Sequence, residues 1–122
     1  RPLVTPELID RVVAAAAKCG AAAPAVPVKD TVKVAAADGA VLETPDRSTL
    51  RAVQTPQVFE AELLKAALQD ALRANAALTD DCSAVERVGK EVHLTAGDRE
   101  NIKITTPLDL AVAEVILQRR GE

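Results

Sequence analysis

The chain has 122 residues, enough for one modest domain or part of a larger one; 48% are hydrophobic, Phe59 is the single aromatic, and 15 basic against 18 acidic residues leave a net charge of −3. Interspersed charges exclude the basic, aromatic-studded patch of a nucleic-acid binder, and apolar runs broken by charge or proline exclude a membrane span or secretory signal. Cys19 and Cys82 are too few for a disulfide framework or a zinc site, so a reduced, cytoplasmic setting is expected.

Thr5-Pro6-Glu7 reads as a helix start, with Thr5 as N-cap, Pro6 at the first helical position and an acid in the first turn. Leu8, Ile9, Val12, Val13 and Ala16 fall on one face, and Lys18 and Gly20 close the helix. Ala22 to Val28 is an apolar run of strand length, and Pro24 and Pro27 predict that it pairs imperfectly or on one side only. Thr31-Val32-Lys33-Val34 and part of Ala40 to Thr44 alternate polar and apolar around Asp38-Gly39, a two-residue hairpin signal. A lone two-stranded ribbon is barely stable in water, so this one needs a partner surface, either a second subunit or its own domain.

Phe59 to about Asn75 carries the longest helical pattern, with Leu63, Leu64, Ala67, Leu68, Ala71 and Leu72 aligned. A shorter helix is expected from Asp81 to Val88, stopping at Gly89. Val92-His93-Leu94 and Ile102-Lys103-Ile104 read as short strands around the turn Ala96-Gly97-Asp98, with His93 facing outward and without a catalytic role. Thr106 and Asp109 make a capping-box start to the last helix, whose buried stripe is expected to hold Leu110, Ala113 and Leu117. Helices alternating with short strands, with one hairpin set apart, predict a layered α/β fold.

No metal-ligand cluster, Ser/His/Asp set, Cys/His pair or glycine-rich phosphate loop can be assembled. The chain has anion-handling parts instead. Arg47 leaves the hairpin after Pro45-Asp46, and an arginine can grip a phosphate through two parallel hydrogen bonds. On the residues alone, a solvated arginine paired with Asp46 explains Arg47 better, an ordinary exposed strand position explains Lys103, and capping or turn formation explains Thr55, Thr79 and Thr106.

Five segments change that balance: Val28-Lys29-Asp30-Thr31-Val32-Lys33, Asp46-Arg47, Val53-Gln54-Thr55-Pro56-Gln57-Val58-Phe59, Thr79-Asp80-Asp81, and Asn101-Ile102-Lys103-Ile104-Thr105-Thr106-Pro107. In this order they resemble the 2-C-methyl-D-erythritol 4-phosphate cytidylyltransferase family, over nearly the whole chain but only over the family's C-terminal half. The resemblance implies the C-terminal part of a Rossmann-like nucleotidyltransferase fold, with a protruding β-hairpin dimerisation arm from about Lys29 to Asp46. Residues 1–122 would then be the C-terminal portion of one domain whose N-terminal nucleotide-binding half is absent. The absence of methionine and the opening Arg1-Pro2 likewise place Arg1 inside a longer gene product rather than behind a cleaved tag.

The implied reaction transfers CMP from CTP to 2-C-methyl-D-erythritol 4-phosphate in isoprenoid biosynthesis, releasing pyrophosphate, with Mg²⁺ as cofactor and a cytoplasmic homodimer as the working form. Arg47 and Lys103 would hold the polyol phosphate for attack, Thr31 would help bind it, and Thr55 and Thr79 would line the substrate pocket. Thr31 and Arg47 would complete the partner subunit's site. Arg1-Pro2 looks like the tail of a His-Asp-Ala-Ala-Arg-Pro motif near metal and nucleotide, and no metal ligand falls on this chain. The glycine-rich CTP loop lies outside these residues, so this piece alone is expected not to turn over. The alternatives are a sister cytidylyltransferase acting on ribitol 5-phosphate and a non-catalytic α/β dimerisation module.

Overall fold

The computed structural model describes residues 1–122. In chain order its elements are helix α1 (Pro6–Cys19), strands β1 (Ala21–Pro27), β2 (Val34–Ala35) and β3 (Val41–Glu43), and a 3₁₀ turn (Arg47–Thr49). Strands β4 (Arg51–Val53) and β5 (Val58–Phe59), helices α2 (Ala61–Arg73) and α3 (Asp81–Arg87), strand β6 (His93–Ala96) and helix α4 (Pro107–Arg120) follow.

The sheet is organised around β1. Ala25 pairs with Val53 of β4 and with Ala96 of β6, and Ala22 pairs with Val58 of β5 and with His93 of β6. A strand has two edges, so β4 and β5 share one of them, antiparallel to β1, while β6 runs parallel along the other. Of the two expected outcomes it is imperfect pairing that forms, not one-sided pairing: both edges are used, and one is split between β4 and β5. The Pro24 carbonyl accepts from the Gln54 N–H at 2.8 Å, so its ring nitrogen faces the gap where the chain bends between β4 and β5. The Ala25 carbonyl accepts from the Gly97 N–H at 2.8 Å on the opposite edge, so Pro27, two residues on, turns its nitrogen past the last rung of β6. Both prolines sit where the ladder asks for no donor.

Side chains alternate across a strand. Ala21 packs with Ala67, Ala84 and Val85 of α2 and α3, ringed by Phe59, Leu63, Leu64 and Val92. Its neighbour Ala22 packs with Val12 and Ala16 of α1. The result is three layers, α1 on one face of the sheet and the α2–α3 pair on the other. A separate cluster of Leu3, Ala113 and Ile116, flanked by Ile102, Ile104 and Leu117, fastens α4 to the N-terminal segment.

The helix ends follow the sequence closely. The Thr5 hydroxyl accepts from the Leu8 N–H at 3.2 Å, and Gly20, at φ +87°, turns the chain from α1 into β1. Helix α2 starts later than the pattern predicts. Phe59 belongs to β5, opposite Ala21, and the cap is Glu60, whose carboxylate accepts from the Glu62 and Leu63 N–H groups.

Three further expectations are revised. The hairpin β2–β3 forms, but through a three-residue loop: Gly39 donates to the Ala36 carbonyl and Ala36 to the Ala40 carbonyl. Only Gly39 of that loop has positive φ, whereas the two-residue turn of the primed type needs it at both central positions. Residues 102–104 are not a strand, because the Asn101 N–H turns back to the Asp98 carbonyl and no neighbouring strand lies alongside. Helix α4 buries Ala113 and Ile116, leaves Leu117 half-buried and exposes Leu110, since apolar residues occupy more than one of its faces. Only 18 of 122 residues are buried, and Leu72, Leu108, Leu110 and Val115 are each more than half exposed. No helix is long and apolar enough to cross a membrane.

Leu8 is fully buried beneath α1. Leu8→Ala is expected to lower the unfolding free energy by about 2–5 kcal/mol, read as a fall in the urea midpoint at unchanged slope.

Candidate functional site

The residues that draw the molecule's ends together surround the β4–β5 connection, Gln54 to Gln57. Gln54 and Asn101 are the buried polar side chains, 8% and 1% exposed, in a core otherwise apolar. Asn101 Nδ2 donates to Gln54 Oε1 at 3.2 Å and to the Thr55 carbonyl at 3.0 Å. Gln54 Nε2 donates to the Asp98 carbonyl at 2.7 Å, and its Oε1 accepts from the Asp98 N–H at 3.2 Å. Asn101 Oδ1 is buried without a protein donor.

Arg1 closes this arrangement from outside. Its Nε donates to Thr55 Oγ1 at 2.7 Å and its Nη1 to the Asn101 carbonyl. Partial burial pulls the guanidinium below its ordinary pKa, yet an arginine stays charged at any working pH. Arg1, Val4, Ile9, Thr55 and Pro56 line a hollow of about 340 Å³.

On the other flank, Gln57 reaches α3. Its Nε2 donates to Asp80 Oδ2 at 3.0 Å and its Oε1 accepts from the Cys82 N–H at 3.2 Å. Asp80 also caps α3, accepting from the Ser83 N–H at 2.8 Å. Thr79, Asp80, Cys82 and Glu86, with Val53, Val92 and Leu94, line a second hollow of about 300 Å³.

Of the residues singled out in the sequence, Arg1 and Thr55 touch directly. Thr79 does not touch them: it precedes Asp80, which Gln57 bonds, and lines the second hollow, while Lys103 lies two residues beyond Asn101. Lys103 is exposed and forms no ion pair within the chain. Ile102 and Ile104 turn inward to the α4 cluster, so Lys103 faces out as expected, although without a strand. Thr31 and Arg47 stand apart at the base of the hairpin: both are exposed, and Arg47 Nη1 donates to the Lys29 carbonyl at 2.6 Å. No hydrogen bond ties them to Arg1, Thr55, Thr79 or Lys103. Asp46 does not pair with Arg47 but caps the 3₁₀ turn, accepting from the Ser48 hydroxyl and N–H, which hold its carboxyl below the usual range.

Gln54, Asn101 and Gly97 are the residues that a reading for chemistry passes over. Alternation through Asn101-Ile102-Lys103-Ile104 puts Asn101 on the outward side with Lys103, yet it is buried. The available signal was two amides, in Val-Gln-Thr-Pro-Gln and Asn-Ile-Lys, each abutting apolar residues. His93 lies outward, its Nε2 3.3 Å from a Glu91 carboxylate oxygen. Cys19 and Cys82 are both free. No group of three or more His, Cys, Asp or Glu side chains converges to hold a metal ion.

A sheet covered on both faces by helices, with its functional candidates on the loops at one end, is that of a layered α/β protein. The model of the IspD family, 2-C-methyl-D-erythritol 4-phosphate cytidylyltransferase, matches residues 1–119, and the chain belongs to this family. A protein of that name from Caldanaerobacter subterraneus subsp. tengcongensis is 55% identical over 119 residues, covering 98% of this chain and 52% of the relative. Two crystal structures share the fold. The cytidylyltransferase of Thermus thermophilus is 37% identical with a TM-score of 0.86, covering 97% of this chain and 58% of that one. The 4-diphosphocytidyl-2C-methyl-D-erythritol synthase of Anaerococcus prevotii is 36% identical with a TM-score of 0.90, covering 98% and 55%. The chain spans about half the length of the curated relatives it matches.

Two expectations follow from the local chemistry. Burial, then the charges of Asp80, Glu86 and Asp81, push the Cys82 thiol up to about 12; only the thiolate attacks a disulfide reagent, so Cys82 should react only after denaturation, as a thiol count in native and unfolded protein will reveal. The Asp109 carboxylate accepts from the N–H and hydroxyl of both Thr105 and Thr106, which hold its pKa below that of an ordinary aspartate. A depressed folded-state pKa stabilises above the unfolded value and loses that effect as pH falls through the folded one. Asp109→Asn should therefore be less stable than the parent at neutral pH, with the gap closing in the acid limb of a pH–stability profile.

Proposed function

We propose that the complete protein transfers CMP from CTP to 2-C-methyl-D-erythritol 4-phosphate and that this chain supplies the half of the site that holds the polyol phosphate. The observation that carries the reading is the linkage of Arg1, Thr55 and the Asn101–Lys103 segment around one connection, in a chain that belongs to this family. In the reaction a phosphate oxygen of the polyol attacks the α-phosphorus of CTP, a new P–O–P bridge forms, and the bond to the β-phosphate breaks to release pyrophosphate. Such chemistry needs alignment and charge neutralisation more than covalent help. Lys103, uncompensated within the chain, offsets the repulsion between the two phosphorylated reactants, and Thr55 and Thr79 orient the polyol. Phosphate oxygens are the natural ligands of the magnesium ion expected for this reaction. No carboxylate cluster in these residues suits it, so none of them is assigned to it.

Arg47 and Thr31 act in this reading across a homodimer interface. Support comes from the hairpin, which pairs with no other strand and exposes Val34, Val41 and Leu42 at 43%, 56% and 68%. A two-stranded ribbon of that kind is marginal by itself. Residues on it that reach a neighbour's site would explain why Arg47 stands apart from Lys103 here.

With the full-length protein, CTP and methylerythritol phosphate should give pyrophosphate, and ribitol 5-phosphate should give far less. Lys103→Ala and Arg47→Ala, each losing a charge-assisted contact worth about 2–3 kcal/mol, should each lower kcat/KM by about 30- to 150-fold. Mixing the two impaired variants separates the arrangements. If Arg47 acts across the interface, half the re-equilibrated dimers carry one intact site, and turnover returns to about a quarter of the parent's. No recovery in a demonstrably mixed population would place Arg47 in its own subunit's site.

A further inference from the structure

We propose that the Gln54–Asn101 amide pair, with Gly97 closed over it, is the positioning device that fixes the Lys103 backbone against Thr55. The proposal rests on the reading above only in that Lys103 meets the polyol phosphate; the clamp itself is argued from its own geometry. Gln54 and Asn101 are positioning residues here and do not touch the ligand.

Three observations carry it. The Gln54 side chain engages both backbone groups of Asp98, donating to the carbonyl at 2.7 Å and accepting from the N–H at 3.2 Å. This is the two-point contact of a strand rung made by a side chain, and it pins the loop that leaves β6. The same Oε1 accepts from Asn101 Nδ2 at 3.2 Å, whose second bond goes to the Thr55 carbonyl at 3.0 Å. One continuous set of hydrogen bonds thus runs from Thr55 through Asn101 and Gln54 to Asp98, joining the two loops that bear Thr55 and Lys103.

The second observation is the unpartnered Asn101 Oδ1. The contacts that hold the amide are therefore those its N–H groups make, to Gln54 Oε1 and the Thr55 carbonyl. The alternative orientation of the amide would set its oxygen against two acceptors, Gln54 Oε1 and the Thr55 carbonyl. The third is Gly97. A Cβ there would lie 2.6 Å from Gln54 Oε1 and 2.9 Å from the Ala25 carbonyl oxygen. Gly97 is not among the positive-φ residues, so room and not backbone conformation calls for glycine. Beyond the clamp, Ile102 and Ile104 are anchored in the α4 cluster. Lys103 therefore has its main chain held between a polar fastening at Asn101 and apolar anchors on either side, while its ammonium stays free.

The test uses the full-length protein with Asn101→Ser, Gly97→Ala, Lys103→Ala and the Asn101→Ser/Lys103→Ala double variant. Turnover of the parent with CTP and methylerythritol phosphate checks the functional reading separately. Asn101→Ser and Gly97→Ala should each raise the KM for the polyol phosphate about tenfold with the KM for CTP unchanged. The double variant should be no worse than Lys103→Ala alone, because a residue acting through Lys103 has nothing left to position. Fully additive losses, or equal rises in both KM values, would overturn the proposal. Amide hydrogen exchange on the same samples decides it without turnover: the amides of Asp98 and of position 101, which donate to Gln54 Oε1 and to the Asp98 carbonyl, should exchange about tenfold faster in Asn101→Ser and Gly97→Ala, with the Ala21–Ala23 amides of β1 unaffected. Unchanged exchange there would overturn the clamp whatever the substrate proves to be.

Discussion

The four-stranded sheet and the helices on its two faces take their register from β1. Its residues Ala21, Ala22 and Ala23 are completely buried, and each of its edges is committed to a different segment of the polypeptide. Because the side chains are single methyl groups, α1 can lie close on one face and the α2–α3 pair on the other. The strand also fixes where its neighbours stop. The Pro24 carbonyl receives Gln54, and the Ala25 carbonyl receives Gly97, on opposite edges. Those two hydrogen bonds mark the points at which β4 and β6 give way to the loops that meet around Thr55 and Asn101.

Past those points the organising force changes from apolar packing to paired amides. Gln54 and Asn101 do for the loops what ladder hydrogen bonds do for strands, and they do so inside a low-dielectric interior where each bond is stronger than in water. Arg1 adds a charged donor from outside, reaching both Thr55 and the Asn101 carbonyl. The N-terminal segment, the β4–β5 connection and the approach to α4 are therefore held as one unit, though far apart in sequence. The hairpin is the contrary case: its strands are satisfied only by each other, and its apolar side chains face outward.

Much of this was legible in the sequence because it is local. Thr5, and Thr106 with Asp109, announce helix starts through side chains that bond backbone groups within a few residues, and Gly20 marks a helix end by its positive φ; the cap of α3, by contrast, falls on Asp80 and not on Thr79. The hairpin was visible in Asp38-Gly39, although one positive φ instead of two makes its loop longer than the dipeptide suggested. What failed was non-local. Nothing in Ile102-Lys103-Ile104 tells whether a neighbouring strand exists to pair with it. The apolar residues of α4 occupy several faces, so their spacing could not single out Ile116 over Leu110. The prolines of β1 looked like a bar to two-sided pairing until the bend at Thr55-Pro56 and the end of β6 showed where their nitrogens point. Of the residues singled out in the sequence, Arg1 and Thr55 are in contact, whereas the amides of Gln54 and Asn101 beside them were hidden by an alternation pattern without a strand beneath it.

The alanines of β1 also set a limit on how this protein can adapt. Each of these methyl groups packs directly against a helix, so enlargement at Ala21 would have to be matched by a change at Ala67, Ala84 or Val85, and at Ala22 by one at Val12 or Ala16. Such paired changes are rarely reached one substitution at a time. Selection for greater heat tolerance would therefore find little purchase at the centre of the sheet, and would act on the helix ends and the loops.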